Sequence, residues 1–311
     1  MSEDIKRAVR EGYAAVARAG LGSEQESMQK VAAAFGYSSD ELASIPAAAN
    51  MGLSCGNPTA MAAIREGDVV VDLGSGGGLD VFLAAAKVGP HGQAIGVDMT
   101  PDMVALARKN AEDGGYTNVR FCLGEIEAMP IASDSVDCVI SNCVLNLVPD
   151  KAQAFREIFR ILKPGGRLAV SDIALKKALP EAVASEVAAW IGCITGAIPI
   201  TENERLMREA GFEDIVIQDA GSDLNAYREA GSAACCGPTS SAAPVAPAAS
   251  SCCAPSESTA MTSTSCCGPA EPAKVPEGEV KFHETMDALL TTFDVNEHAA
   301  SVKIFALKPG S

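Results

Sequence analysis

Three single cysteines, Cys55, Cys143 and Cys193, stand apart from three adjacent pairs, Cys235/Cys236, Cys252/Cys253 and Cys266/Cys267. The chain carries 11 cysteines, and residues 1–18 are charged throughout rather than forming a basic start followed by an apolar run. The thiols are therefore expected to be reduced, cytoplasmic groups that do chemistry or bind metals. Their uneven placement implies two roles. A zinc centre is disfavoured, because the single cysteines lack Cys-x-x-Cys spacing and His91, His283 and His298 show no ligand spacing. The second chemistry-bearing stretch is Val71-Asp72-Leu73-Gly74-Ser75-Gly76-Gly77-Gly78, which follows a β-branched run and precedes a helical one. Glycines there let the backbone turn tightly and approach a ligand at a helix N-terminus. A dinucleotide fingerprint would place a further glycine at 79, where this chain has Leu79. Asp98 ends the next β-branched run and is placed to accept hydrogen bonds from ribose hydroxyls.

These residues need a scaffold, and the patterning supplies one. From about Gly67 to Asp172 the runs Val69–Val71, Ala94–Val97, Val119–Leu123, Val136–Ile140 and Leu168–Val170 alternate with helical periods, as in an α/β fold with a parallel sheet. Thr100-Pro101 and Asp150 read as helix starts, and Lys163-Pro164-Gly165-Gly166 as a turn into the next strand. Thr201 to Ala210 reads as a helix closed by Gly211, before a strand at Ile215–Ile217 and a last one at Val302–Leu307. Ile5, Val9, Tyr13 and Val16 share one face of an N-terminal helix, and Ser38 with Glu41 has capping-box spacing for another. Val187–Ile200 reads as a buried helix and loop, too short to cross a bilayer. Residues 231–276 are rich in Ala, Ser, Thr, Pro and Cys and without periodicity, so they are expected to be a disordered insertion. The expectation is a doubly wound, mostly parallel seven-stranded sheet whose last two strands pair antiparallel at one edge. Four segments follow: N-terminal helices forming a lid or flank (1–50), a catalytic core (51–230), the insertion (231–276) and a returning helix and strand (277–311).

The Asp-x-Gly-x-Gly-x-Gly loop resembles the first motif of S-adenosylmethionine methyltransferases of class I. That resemblance implies a Rossmann-like fold and a cofactor site drawn from Asp72, Gly74, Ser75, Gly76, Gly78, Asp98, Met99, Glu125, Ile126 and Asn142. Asp72 would lie near the amino-acid part of the cofactor, Met99 over the adenine face and Glu125-Ile126 at the adenine edge. Three further sequences narrow the family: Gly52-Leu53-Ser54-Cys55-Gly56-Asn57-Pro58, Ser141-Asn142-Cys143-Val144-Leu145-Asn146-Leu147 and Trp190-Ile191-Gly192-Cys193-Ile194-Thr195-Gly196. With Val97-Asp98-Met99-Thr100 and Leu147-Val148-Pro149-Asp150-Lys151, they resemble the bacterial arsenite methyltransferases from about Ala49 to Asp219, and again from Asp294 through Pro309. The resemblance implies that Cys143 and Cys193 bind trivalent arsenic, with Cys55 contributing from an N-terminal region, and that the activity serves arsenic detoxification. Soft thiolates suit a thiophilic centre. Val81 departs from the family, which often has cysteine directly after the aspartate that follows the glycine loop.

A formal net charge of −16 argues against a nucleic-acid partner, whose binding rests on clustered Lys and Arg. The expected partners are trivalent arsenic, as a thiol conjugate, and a thiol reductant such as thioredoxin or glutathione; no membrane partner is expected. Cys122 and Cys138 lie inside strand patterns and read as small buried hydrophobes. Two other readings stay open: a methyltransferase acting on a small organic acceptor such as a quinone, and a thiol-rich metalloid-binding protein without catalysis.

Overall fold

The β-branched runs become a single seven-stranded sheet in the order β3-β2-β1-β4-β5-β7-β6. Its parallel part is Val69–Leu73 (β1), Gln93–Asp98 (β2), Val119–Leu123 (β3), Val136–Asn142 (β4) and Leu162–Leu175 (β5). Ala299–Leu307 (β7) runs antiparallel between β5 and the edge strand Glu213–Asp219 (β6), as the sequence pattern requires. This computed structural model describes residues 2–19, 25–52, 54, 56–179, 196–224 and 294–310. Cys55, Cys193, the six paired cysteines, most of the run Val187–Ile200, the insertion 231–276 and the helix expected after 277 lie outside the described residues.

Alternate residues of each central strand feed opposite faces, which is why these strands read as continuous apolar runs rather than alternating ones. On one face Val71, Val139 and Leu168 pack with Phe155, Ile158 and Ile161 of Lys151–Ile161 (α7) and Met207 of Ile200–Ala210 (α8). On the other, Val70, Ala94, Ile140 and Ala169 pack against Phe82 and Leu83 of Leu79–Val88 (α5) and Val104 and Ala107 of Pro101–Asp113 (α6). Cys138 joins this second core at 0% exposure, and burial pushes its thiol pKa up to about 12, so it is a small hydrophobe. Cys122 is half-buried and packs against the first core. Both thiols are free.

The N-terminal region contains Ser2–Ala19 (α1), Gln25–Ala34 (α2), Ser39–Ala43 (α3) and Pro58–Met61 (α4). The capping box forms as read: the Ser38 side chain accepts the Glu41 amide, and Glu41 Oε2 accepts the Ser38 amide at 2.9 Å. Asp150 caps α7, accepting the Gln153 amide at 2.9 Å, and Gly211 ends α8 at φ 105°. Helix α2 was not among the expected elements, although Ser23 and Glu26 have capping-box spacing in the sequence.

Two local expectations come out differently. Thr100 precedes Pro101, but its side chain makes no cap bond to α6; its hydroxyl is engaged with Asp98 instead. The Lys163-Pro164-Gly165-Gly166 turn lies inside β5 as an irregularity, because Leu162 pairs with Val136 and the ladder resumes only at Arg167 opposite Cys138. The displaced backbone finds other partners: Gly165 donates to the Lys308 carbonyl and Lys308 donates to that of Gly166.

Candidate active site

The sheet order reverses between β1 and β4, so their C-terminal loops diverge and leave the crevice where open α/β sheets bind ligands. A cavity fills that crevice, lined among others by Gly74 to Gly77, Asp98, Met99, Ile126, Asn142 and Cys143. The loop after β1 is pinned from below: the Gly74 and Ser75 amides both donate to the Val97 carbonyl, at 2.7 and 3.1 Å. Gly74 has φ 62°, and a Cβ there would run into the Val144 side chain, so only glycine allows the β1 and β4 loops to approach this closely. Gly78, at φ 100°, starts α5 and lies one step behind the cavity.

Asp98 ends β2, and its two carboxylate oxygens accept the amides of Thr100 (2.8 Å) and Gly76 (3.0 Å). It therefore ties the glycine loop to the start of α6. Asp72, at the end of β1, is 4% exposed and has no hydrogen-bond partner among the described residues, and it faces the cavity. Burial, then the nearby charges of Asp80 and Asp98, holds its carboxyl well above the usual range. Asp80, in the first turn of α5, is pushed up to about 6 by burial, with hydrogen bonds from Tyr37 and Asn142 acting the other way. Burial also raises Asp98, against the hydrogen bonds it accepts. Three carboxyls around one cavity, two of them buried and one half-buried, with Asp72 lacking a partner, form a site suited to a small ligand carrying positive charge.

Cys143 follows β4 directly and is 4% exposed. Its backbone has φ 57°, a left-handed conformation that residues other than Gly, Asn and Asp rarely adopt. Such strain persists only where the surroundings enforce it. The Cys143 amide donates to the Ser171 carbonyl of β5 at 2.9 Å. Downstream, Asp172 accepts the side-chain amide of Asn146 at 2.8 Å, while that amide also donates to the Ile173 carbonyl at 2.7 Å. Lys151 donates to the Asn146 and Val148 carbonyls. The loop bearing Cys143 is thus fixed from both ends. Cys143 is disulfide-bonded.

The remaining wall comes from α1, whose Lys6, Val9 and Tyr13 line the cavity. Lys6 pairs with Glu125 at 2.6 Å and Glu127 at 3.0 Å, and Arg10 with Glu125 at 3.3 Å. The Glu125 carboxylate therefore faces α1, while Gly124, Ile126 and Glu127 line the cavity beside it. Of the residues singled out in the sequence, Asp72, Gly74, Ser75, Gly76, Asp98, Met99, Ile126, Asn142 and Cys143 come together around one cavity. Sequence reasoning missed Lys6, Tyr37, Asp80 and Thr100. Asp80 carried a signal, being the acid directly after the glycine loop; Lys6 and Tyr37 come from outside the repeating α/β pattern and carried none.

A doubly wound sheet of this order, with a glycine loop after β1 and an acid ending β2, defines the class I methyltransferases, and a methyltransferase-domain family model matches residues 64–212. A putative sarcosine dimethylglycine methyltransferase from Galdieria sulphuraria superposes with a TM-score of 0.57 at 15% identity, over 81% of this chain and 82% of that one, a likeness of fold alone. The arsenite methyltransferase of Halobacterium salinarum is 40% identical over 252 residues, 72% of this chain and 64% of that protein. The human arsenite methyltransferase is 40% identical over 152 residues, 46% of this chain and 40% of its own length. The chain thus spans less than two thirds of the length of these curated relatives. The chain has the class I methyltransferase fold, and over most of its length it is similar to these arsenite methyltransferases.

Proposed function

We propose that this protein transfers a methyl group from S-adenosylmethionine to trivalent arsenic held by cysteine thiolates. The observation that carries the reading is Cys143, held in a left-handed bend at the end of β4 in the same cavity as the glycine loop, Asp72 and Asp98. S-adenosylmethionine supplies an electrophilic methyl on a sulfonium centre. Asp98 and the loop from Gly74 to Gly78 hold its nucleoside part, Met99 and Ile126 cover its adenine, and Asp72 and Asp80 balance its positive charge. Cys143, with Cys55 and Cys193, binds arsenic through sulfur and leaves the arsenic lone pair free to attack the methyl carbon. No general base is required, so positioning and exclusion of water supply the catalysis. Helix α1 acts as the lid, and Lys6 with Glu125 and Glu127 is its latch.

Methyl transfer neutralises the sulfonium and oxidises arsenic by two electrons, so a thiol reductant is the partner that returns the product to the trivalent state. The setting is the cytoplasm, and the biological role is arsenic detoxification. The test uses reduced protein with arsenite and S-adenosylmethionine. S-adenosylhomocysteine should accumulate only when arsenite is present, and Cys143→Ser should abolish that production while S-adenosylhomocysteine binding persists. Full arsenite-dependent turnover in Cys143→Ser would overturn the assignment.

A further inference from the structure

Tyr37, Asp80 and Asn142 form a largely buried hydrogen-bonded cluster, of which the proposed chemistry uses only Asp80, for its charge. The Tyr37 hydroxyl donates to Asp80 at 2.7 Å and accepts from the Asn142 side-chain amide at 2.8 Å. Tyr37 is 3% exposed and Asp80 5%. Neither group could be buried cheaply without the other. The cluster reaches a third element, the segment 54–57. The second hydrogen of the Asn142 amide goes to the Gly56 carbonyl at 2.8 Å, and the Ser54 hydroxyl is hydrogen-bonded to that of Tyr37.

Ser54 and Gly56 are the two sequence neighbours of Cys55, and Asn142 is the neighbour of Cys143. One cluster thus fastens the chain on both sides of Cys55 to the strand end that carries Cys143. The packing agrees. A Cβ at position 56 would meet Cβ and Oγ of Ser171 at 2.7 Å, so Gly56 lies directly against β5. Ser171 is the residue whose carbonyl holds the Cys143 amide, and its own hydroxyl is buried without a partner under that contact. The close approach is maintained although it leaves a polar atom unsatisfied, which marks the position of this segment as constrained.

We infer that Tyr37, Asp80 and Asn142 are positioning residues for arsenic capture, holding the segment around Cys55 at a fixed distance from Cys143. The inference rests on the reading of both cysteines as arsenic ligands. Preorganisation of this kind acts on affinity, since donors already in place lose less freedom when the substrate binds. Tyr37 does not line the cavity. Its loss should therefore be felt at the thiols, with the methyl-transfer step retained once arsenic is bound.

The experiment is a cycle of Tyr37→Phe and Cys55→Ser in the reduced full chain, with arsenite as the probe. Tyr37→Phe keeps the ring and removes the hydroxyl that links Asp80, Asn142 and Ser54. It should raise the arsenite concentration for half-maximal rate about ten-fold, the consequence of roughly one lost hydrogen bond in a buried network. The rate at saturating arsenite should stay within about three-fold of the parent, a spread of well under 1 kcal/mol in the barrier. In the Cys55→Ser background Tyr37→Phe should change arsenite affinity little further, because the two changes act through one group. An undiminished effect in that background overturns the positioning role, as does a loss confined to the saturated rate. A Cys55→Ser variant that binds arsenite as the parent does instead overturns the ligand assignment beneath it. Should Tyr37→Phe fold poorly, Gly56→Ala tests the same point by displacing the segment from Ser171. It should weaken arsenite binding in the same way and recover when Ser171→Gly removes the obstructing Cβ; no recovery counts against the inference.

Discussion

Replacing Asp98 with alanine separates cofactor recognition from folding. The carboxylate accepts two structural bonds from the amides of Gly76 and Thr100, besides one from the rotatable Thr100 hydroxyl, and it helps to line the cavity. Losing both bonds would leave two amides without partners, at about 1–3 kcal/mol each if they stayed dry. Two effects reduce that cost. Alanine leaves room for water beside a cavity already open to it, and removing one carboxyl relieves its repulsion with Asp72. The net loss of stability is then about 1 kcal/mol, a shift of roughly 2–4 °C in melting temperature for a chain of this size. A cofactor bound as proposed has no such relief, because its ribose hydroxyls lose a charged acceptor worth about 1.5–3 kcal/mol, or roughly ten- to 150-fold in Kd. Calorimetric titration of Asp98→Ala with S-adenosylhomocysteine, alongside a melting curve, reads both quantities. Affinity within about two-fold of the parent, in a variant of near-parent melting temperature, would refute the placement of the ribose at Asp98.

Two further outcomes follow from the same cavity. Lys6→Met should speed S-adenosylhomocysteine release about two- to five-fold in a stopped-flow chase, because Lys6 is well covered where it pairs with Glu125 and Glu127, yet such pairs contribute only about 1 kcal/mol near the surface; an unchanged release rate would remove α1 from the role of lid. Asp80 titrates at about 6 when no ligand is bound, and a cation stabilises its ionised form, so affinity for cationic S-adenosylmethionine should rise as pH increases from 5 to 7.5, with proton release on binding. The neutral sulfide S-adenosylhomocysteine should gain less, and a ratio of the two affinities that stays constant with pH would disprove the charge pairing.

The sheet was legible because its strands are buried on both faces. Val69–Val71 and Cys138–Ile140 feed two cores at once, which leaves short runs of apolar residues that no polar alternation interrupts. The glycine loop was legible because backbone geometry demands glycine there, and at Gly74 the demand comes from a close approach to Val144. Tyr37 and Lys6 were not legible for a related reason. Each acts on a partner far along the chain, at 80 and 142 for Tyr37 and at 125 and 127 for Lys6, and no local period links such positions. Thr100 shows a local signal overruled by a tertiary one, since its hydroxyl turns from the α6 cap to Asp98. The irregular start of β5 has the same origin: the backbone of Gly165 and Gly166 pairs with Lys308, which the sequence places more than a hundred residues away.

The chemistry proposed for this site explains why its residues are so unevenly distributed. An acceptor that attacks through its own lone pair needs no proton removed, and the described histidines, His91 and His298, are absent from the cavity. What the reaction does need is a soft electron donor and a cationic methyl donor held in contact, with each charge balanced by fixed groups. Those two requirements pull in different directions along the chain. The cation needs acids, and they come from the ends of β1 and β2 and the start of α5 as Asp72, Asp98 and Asp80. On the proposed reading a thiol donor must instead come from the other wall of the crevice, where Cys143 follows the end of β4. Only at the reversal of strand order do loops from β1 and β4 face each other across one crevice. Gly74 against Val144 narrows that crevice, and the left-handed bend at Cys143 turns the chain at its rim. The strain at Cys143 therefore follows from topology: a chain leaving β4 must turn at once to present sulfur to a ligand bound on β1.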